Sequence, residues 1–338
     1  MPRSESRSDS LHDSRHDSGH DSRYDVLTFG EAMALFVADD DGPLDQVTRF
    51  HRRTAGADTN VAIGLSRLGF GVRWLSRVGA DHNGTFLQRA LEAEGLDCRH
   101  VQRDDTHATG LVFKARAVDG ADPHVEYVRR GSAASHLSIA DGRDVELESA
   151  RHLHATGIPP AISDSARELS FHLLRQARSA GVSVSFDPNL RPSLWPNETV
   201  MIETLNALAA ESDIVMPGLS EGRLLTGRDT AHDIAGHYLD RGAKVVVIKL
   251  GPEGSYFRTA DSEGTVDGSP VKQVVDTVGA GDGFAVGIVS AYLDGLDWRA
   301  ALHRGNLIGA RQVQVIGDME GLPSREELIA MERSGDAI

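Results

Sequence analysis

A single cysteine, Cys98, stands among 338 residues. That excludes an internal disulfide and leaves no cysteine cluster for zinc, so a reducing compartment fits. Lysine is nearly as scarce, occurring only at positions 114, 244, 249 and 272. With 50 acidic against 35 basic side chains the formal charge is −15, so there is no general basic surface for nucleic acid or an anionic membrane. Any anionic ligand must be met by local positive groups. No apolar run approaches the roughly 18 residues of a membrane span, and the N-terminus lacks the apolar core of a signal peptide. These absences predict a soluble, cytoplasmic protein. Two common nucleotide signatures are missing as well. A dinucleotide fingerprint counted from Gly279 would need glycine where Phe284 stands, and no Gly-Lys-Ser/Thr triplet of a P-loop occurs.

What is present falls into a tail and one folded unit. The stretch "HDSRHDSGHDSR", His12 to Arg23, repeats a four-residue unit with almost nothing to bury. Residues 1–24 are therefore expected to be a disordered, low-complexity tail. Its three histidines are read as solvated, with weak metal binding as the alternative. A single domain is expected over 25–330, followed by a C-terminal tail at 331–338. From Tyr24 onward, strand-like runs such as "DVLTFG", "VRWLSRVG", "VSVSFDPN", "SDIVMPG" and "AKVVVIKLG" alternate with helix-period segments. That rhythm predicts an α/β fold with a mostly parallel sheet covered on both faces. Val61, Leu65 and Leu68 make one stripe of a helix over 58–68 that should pack on the sheet.

Two stretches break the rhythm. About 34–54 and 109–130 look like short strands joined by polar turns, with "DGAD" suggesting a hairpin. Strands without intervening helices cannot extend a parallel sheet, so these predict a small separate sheet projecting as a lid. An exposed sheet face tends to seek a partner subunit, and a homodimer or higher homo-oligomer through the lid is expected.

The stretch "DTVGAGDGFAVG", residues 276–287, carries the chemistry. A small-residue turn runs into an apolar helix with Phe284, Ile288, Ala291 and Tyr292 at helical spacing. The amides of Gly279, Ala280, Gly281 and Asp282 would lie at the helix N-terminus, where an anion is favoured. Asp282 has two readings. It is either a first-turn acid worth roughly 0.3–1 kcal/mol to the helix dipole, or a general base for a hydroxyl attacking a phosphate. The second accounts for a carboxylate placed beside a bound anion.

"DTVGAGDGF" resembles the signature of the ribokinase-like (PfkB) carbohydrate kinases, and "AGADTNVAIGLSRLG", residues 55–69, resembles that family's glycine-rich N-terminal motif. The resemblance covers Tyr24 to about Leu322. It implies a ribokinase-like three-layer α/β/α fold, ATP and Mg²⁺ as cosubstrate and metal, Asp282 as catalytic base, and Gly279, Ala280 and Gly281 with Asp282 as the anion hole. It further implies a sugar site at Gly56, Asp58 and Asn60, Asn60 being alternatively a helix-start residue bonding its own backbone. "MPGLSEGRLLTG" resembles the family's N-x-x-E motif, with Gly218 where asparagine is usual. Glu221 thus remains as the magnesium-linked acid or a first-turn helix acid, and Ser220 is a nucleotide-side candidate.

On the nucleotide side the resemblance also selects Lys249, Gly251 and Gly254 in "VIKLGPEGSYF", Asn306 and Gly309 in "GNLIGARQV", and Asn189. Gly309 is equally a helix-packing residue. Asp276 corresponds to an acid that in several relatives helps hold a monovalent cation such as K⁺ behind the anion hole.

For the acceptor, "VEYVRRGSAAS" places Tyr127 and Arg129 on one face of a lid strand, and "SFDPNLRPSLW" puts Asp187, Asn189 and Arg191 just past a strand end, where open α/β sheets bind ligands. Two converging arginines suit a carboxylate; the alternative for Arg129 with Arg130 is a solvated basic pair. The patterns YxRxGSA, DxNxR and KLGxxG resemble the branch of the family that phosphorylates keto-deoxy sugar acids, although Tyr127 is followed by Val128 where that branch often has a second tyrosine. The expected reaction is phosphorylation of a sugar-acid primary hydroxyl. Fructose or another sugar is the alternative acceptor, and a non-catalytic sugar-binding protein is the alternative of another class.

Overall fold

The computed structural model describes residues 23–116 and 124–334. Residues 12–22 of the histidine-rich repeat and the "DGAD" turn lie outside the described residues. The chain opens with β1 (Tyr24–Phe29), β2 (Met33–Ala38) and β3 (Phe50–Ala55), then α1 (Ala57–Arg67), β4 (Val72–Gly79), α2 (His82–Ala93) and β5 (Asp97–Asp104). Two short strands, β6 (Leu111–Lys114) and β7 (Val125–Val128), precede β8 (Ala150–Thr156). Next come α3 (Pro159–Ile162), α4 (Asp164–Ala180), β9 (Ser183–Asp187), α5 (Glu198–Ala210), β10 (Ile214–Val215), α6 (Leu219–Thr226) and α7 (Ala231–Leu239). The last part holds β11 (Val245–Lys249), β12 (Ser255–Arg258), β13 (Glu263–Val266), α8 (Ala280–Leu293), α9 (Trp298–Gln312) and α10 (Arg325–Ser334). That last helix runs four residues past the boundary expected at 330, with Leu328 and Met331 buried.

Nine strands form the main sheet in the order β13-β12-β11-β10-β9-β8-β1-β4-β5. Every pair from β11 to β5 is parallel, and β12 and β13 add an antiparallel edge. The sequence of β11 shows why the sheet is buried on both sides. Val245 and Val247 join one core with residues of α1, α8 and α9, whereas Val246 and Ile248 join another with residues of α4, α5 and α7. A continuous apolar run is what a strand covered by helices on both faces requires. Helix ends are fixed by local chemistry: Ser163 accepts from the Ala166 amide at the start of α4, and Asn197 accepts from Val200 at the start of α5, contacts worth about 1 kcal/mol each.

The second sheet has the order β3-β2-β6-β7. Its residues match the stretches expected to form the lid, and its register explains their alternation. Met33, Leu35, Val37, Ala55 and Val112 share one face and form their own small core. Phe36 and Phe113, paired across β2 and β6, stack on the other face at 5.2 Å, with Phe50 edge-on to Phe113 at 5.8 Å. This sheet is mixed: β2 and β6 run parallel because α1, β4, α2 and β5 intervene in sequence.

Candidate active site

The C-terminal ends of β1, β9 and β11, the rim of the lid and the start of α8 surround one cavity of about 290 Å³. Ligands of open α/β sheets bind at these strand ends. Its walls include Gly56, Asn60, Tyr127, Arg129, Asn189, Arg191, Glu221, Lys249, Gly279, Gly281 and Asp282, all expected from the sequence, together with Glu31, Thr277, Val278 and Asp318.

The turn before α8 has the form an anion hole requires. Gly279 is the N-cap with φ 81°, and a Cβ there would run into the carbonyl oxygen of Asp318, so only glycine fits. The helical ladder begins with the Gly283 amide donating to the Gly279 carbonyl at 2.8 Å. The amides of Gly281 and Asp282 precede that bond and lie at the positive end of the helix dipole. A Cβ at Gly281 would meet only Lys249 Nζ, at 3.8 Å. That side of the turn is open.

Asp282 is buried beside the turn and bound by neutral donors. Asn60 Nδ2 donates to Oδ2 at 2.8 Å and Asn189 Nδ2 to Oδ1 at 3.3 Å. Burial pushes its pKa up to about 7, with the nearby Asp187 carboxylate adding to the rise and the Asn60 hydrogen bond opposing it. A carboxyl that changes protonation near neutrality is suited to general-base work. Asn189, expected on the nucleotide side, therefore sits against this carboxylate instead, with φ 41°. Such backbone is uncommon for a residue other than glycine.

Lys249 Nζ bonds both oxygens of Asp187 at 2.9 and 2.7 Å and lies 4.0 Å from Glu221. Burial works against its charge, but these carboxylates hold the ammonium above the ordinary lysine range. Glu221 Oε2 accepts from the Gly218 amide at 2.6 Å and Oε1 from the Leu190 amide at 2.8 Å. Where asparagine was the expected residue, Gly218 thus supplies its backbone. Among the described residues no cluster of three or more His, Cys, Asp or Glu is set to hold a metal.

The acceptor end departs from the expected pair of arginines. Arg129 forms an ion pair with Glu31, which also accepts from Ser132 Oγ, so its charge is already matched. Arg191 is exposed, its Nη1 donating to the Leu190 carbonyl. Asp58 does not line the cavity: it is fully buried against Gly30, and burial pushes its pKa up to about 8.

Five nucleotide candidates lie outside the cavity. Ser220 is exposed on α6. Gly251 has φ 65° in open space, and Gly254 packs on Val266 and Gly268. Asn306 Nδ2 donates to the carbonyls of Val266 and Asp267, and Gly309 faces the Ala280 carbonyl. These contacts tie α9 to β13 and α8.

Asp276, expected to hold a cation, is met by Lys114 Nζ at 2.6 Å. Lys114, Glu31 and Asp318 were not singled out from the sequence. Lysine scarcity, and an acid immediately past the end of β1, were the available signals for the first two.

A model of the pfkB family of carbohydrate kinases matches residues 23–325. The chain belongs to this family. It is 51% identical over 305 residues to a 2-dehydro-3-deoxygluconokinase of Bacillus subtilis (strain 168), covering 90% of this chain and 94% of that one. The crystal structure of a PfkB protein from Polaromonas sp. JS666 superposes with a TM-score of 0.85 at 53% identity, covering 91% of this chain and 99% of that one. A double mutant of the Vibrio cholerae O395 fructokinase, solved with fructose, ADP and a potassium ion, has a TM-score of 0.80 at 27% identity, covering 91% and 98%. The ribokinase-like fold and the carbohydrate-kinase class expected from the two motifs are thus borne out. Among the described residues of this PfkB kinase, no helix is long and apolar enough to cross a membrane.

Proposed function

We propose that this kinase transfers the γ-phosphoryl group of ATP to the primary hydroxyl of 2-keto-3-deoxygluconate, giving 2-keto-3-deoxy-6-phosphogluconate, with Asp282 as general base. The observation that carries the chemistry is the Asp282 carboxyl, poised near pKa 7 between two neutral amides at the mouth of the α8 anion turn. In the transfer step Asp282 takes the proton of the attacking hydroxyl. The new O–P bond forms as the bond from the γ-phosphorus to the β,γ-bridging oxygen breaks, and ADP leaves. The amides of Gly281 and Asp282 meet the charge on the phosphoryl oxygens in a buried setting, where such donors count most.

Glu221 lines the cavity and is the acid assigned to magnesium, an ion that keeps several waters and reaches the protein through few carboxylates. Bound magnesium would neutralise the phosphate oxygens, with Glu221 holding it. Lys249 at the end of β11, Gly251 and Gly254 in the turn after it, Ser220 on α6, and Asn306 and Gly309 on α9 are assigned to the nucleotide side.

The choice of a keto-deoxy acid rests on the relative at 51% identity and on Arg191, which lines the cavity and makes no salt bridge among the described residues. Tyr127 shares a face of the lid with Val112 and closes the same end of the cavity. A second reading, a neutral sugar such as fructose, is favoured by one observation: Glu31 already neutralises Arg129. ADP release measured with 2-keto-3-deoxygluconate, 2-keto-3-deoxygalactonate, fructose, ribose and gluconate decides between them. The keto-deoxy acid should lead in kcat/KM by at least about tenfold, the scale of one charge-assisted contact. A lead by fructose overturns the substrate assignment and leaves the transfer chemistry standing.

The lid's outer face supports a homodimer or higher homo-oligomer. Phe36, Phe50 and Phe113 cluster there, and Val128, across from Leu111, is about half exposed. Phe113→Asp is expected to convert the assembly to monomers by light scattering; an unchanged mass would place the contact elsewhere.

A further inference from the structure

We propose that Lys114 is the built-in monovalent cation of this kinase: its ammonium group stands where the sequence led us to expect a potassium ion behind the anion hole, and the enzyme needs none. The inference rests on the kinase reading of the same site.

The geometry is that of a cation site already filled. Lys114 Nζ lies 2.6 Å from Asp276 Oδ2 and 3.1 Å from Asp318 Oδ1. The lysine and Asp276 side chains are 3% and 0% exposed. The remaining contacts of Asp276 lead directly to the anion turn: its Oδ1 accepts from the Val278 amide at 3.1 Å, and its Oδ2 from the Gly317 amide at 3.3 Å. The backbone of Asp318 in turn packs on Gly279, the N-cap of α8. One ammonium group thus joins the start of the motif, the 317–318 loop and the lid strand β6 immediately behind the amides that face the cavity.

Two buried carboxylates need a positive charge between them. Potassium and ammonium are both compact monovalent cations, so either could serve. They cannot both serve, because Nζ already lies between the two carboxylates, and a second cation would face its repulsion. Residue choice points the same way. The chain has 35 basic side chains of which only four are lysine, and one of those four is placed here. A planar guanidinium would not match a site for a compact point charge. Lys114 comes from the inner face of the lid, opposite Val125 of β7. The cation is therefore supplied by the second sheet, and the register of that sheet fixes its position. Lys114 is not itself a wall residue and meets the cavity only through Asp318, which is one, so it is a positioning residue for the anion turn.

The test compares wild type with Lys114→Ala in potassium chloride, ammonium chloride and tetramethylammonium chloride at equal ionic strength, following both ADP release and thermal unfolding. Wild type should show the same rate and the same Tm in all three salts. The alanine variant should lose about tenfold or more in kcat in tetramethylammonium, the scale of a lost electrostatic contact. Potassium or ammonium should recover both its rate and its Tm. Severalfold activation or stabilisation of the wild type by potassium overturns the proposal. So does a folded alanine variant whose loss answers to no monovalent cation, since that is the behaviour of a purely structural lysine. If the alanine variant does not fold, the wild-type comparison decides alone, with Lys114→Gln as the second variant. If no sugar is phosphorylated at all, the kinase reading fails, and the Tm comparison still tests the cation assignment.

Discussion

Asp276 and Asp282 lie six residues apart at the two ends of one turn, both buried, and the fold treats them in opposite ways. Asp276 is joined to a lysine ammonium and to two backbone amides. Asp282 is given two asparagine side chains and no cation in direct contact. A carboxylate bonded at once to a buried ammonium and to two backbone amides is held in one place and serves as scaffold. A carboxylate held only by neutral donors in a desolvated place has its pKa raised, and is free to take up and release a proton at neutral pH. On the proposed function, the same residue type is structural at one end of the turn and chemical at the other. The choice is made by partners that come from distant parts of the chain.

The most severe way to break the contrast is to remove the ionisable group at the chemical end. Asp282→Asn keeps the size and loses the base, so kcat should fall by about 10²–10⁴. Stability should move the other way. The folded pKa of about 7 lies above the ordinary aspartate value near 3.9, so the protonated carboxyl is the form the fold favours. Its contribution is fully present below about pH 4 and is lost as pH rises through about 7. The Tm gain of the asparagine variant over wild type should therefore be larger at pH 8 than at pH 4.5. A variant that keeps near-full activity, or gains stability only at the acid end, contradicts the role assigned to this residue.

How much of this was legible in the sequence follows from the range of the contacts. The alternation of strand and helix, the stretches of the second sheet, and the helix starting at the glycine turn with an aspartate in its first turn are local patterns, and they appear in the fold where the pattern put them. Two parts of the site were not legible because they are made by long-range pairing. Lys114 meets residues 162 and 204 positions away, and no motif marks it. The scarcity of lysine that drew attention to Lys249 applied equally to Lys114. The ion pair of Arg129 with Glu31 brings together a lid residue and the end of β1. Strand alternation correctly put Arg129 at the cavity, but it carries no information about which charge it meets there. Asp58 shows the complementary limit: its motif position suggested a wall residue, whereas the packing of α1 on Gly30 turns it inward.

A milder perturbation sharpens the comparison by making Asp282 still less like Asp276. Asparagine donors favour the ionised carboxylate, so removing one raises the pKa and shifts the acid limb of the kcat profile upward. In wild type that limb should fall at about pH 7. Asn60, at 2.8 Å, holds Asp282 more closely than Asn189, at 3.3 Å. Asn60→Leu should therefore cost about tenfold in kcat below neutrality, the scale of a hydrogen bond to a charged group, and recover in alkaline buffer. Asn189→Ala should give the smaller displacement, about two- to threefold, because its bond is longer and lies near the limit of useful geometry. Full pH profiles of kcat for both variants measure this directly. A larger shift for Asn189 than for Asn60 would reverse the assignment of the main donor. A uniform loss at every pH would mean that the asparagines act on substrate placement and leave the protonation of Asp282 alone.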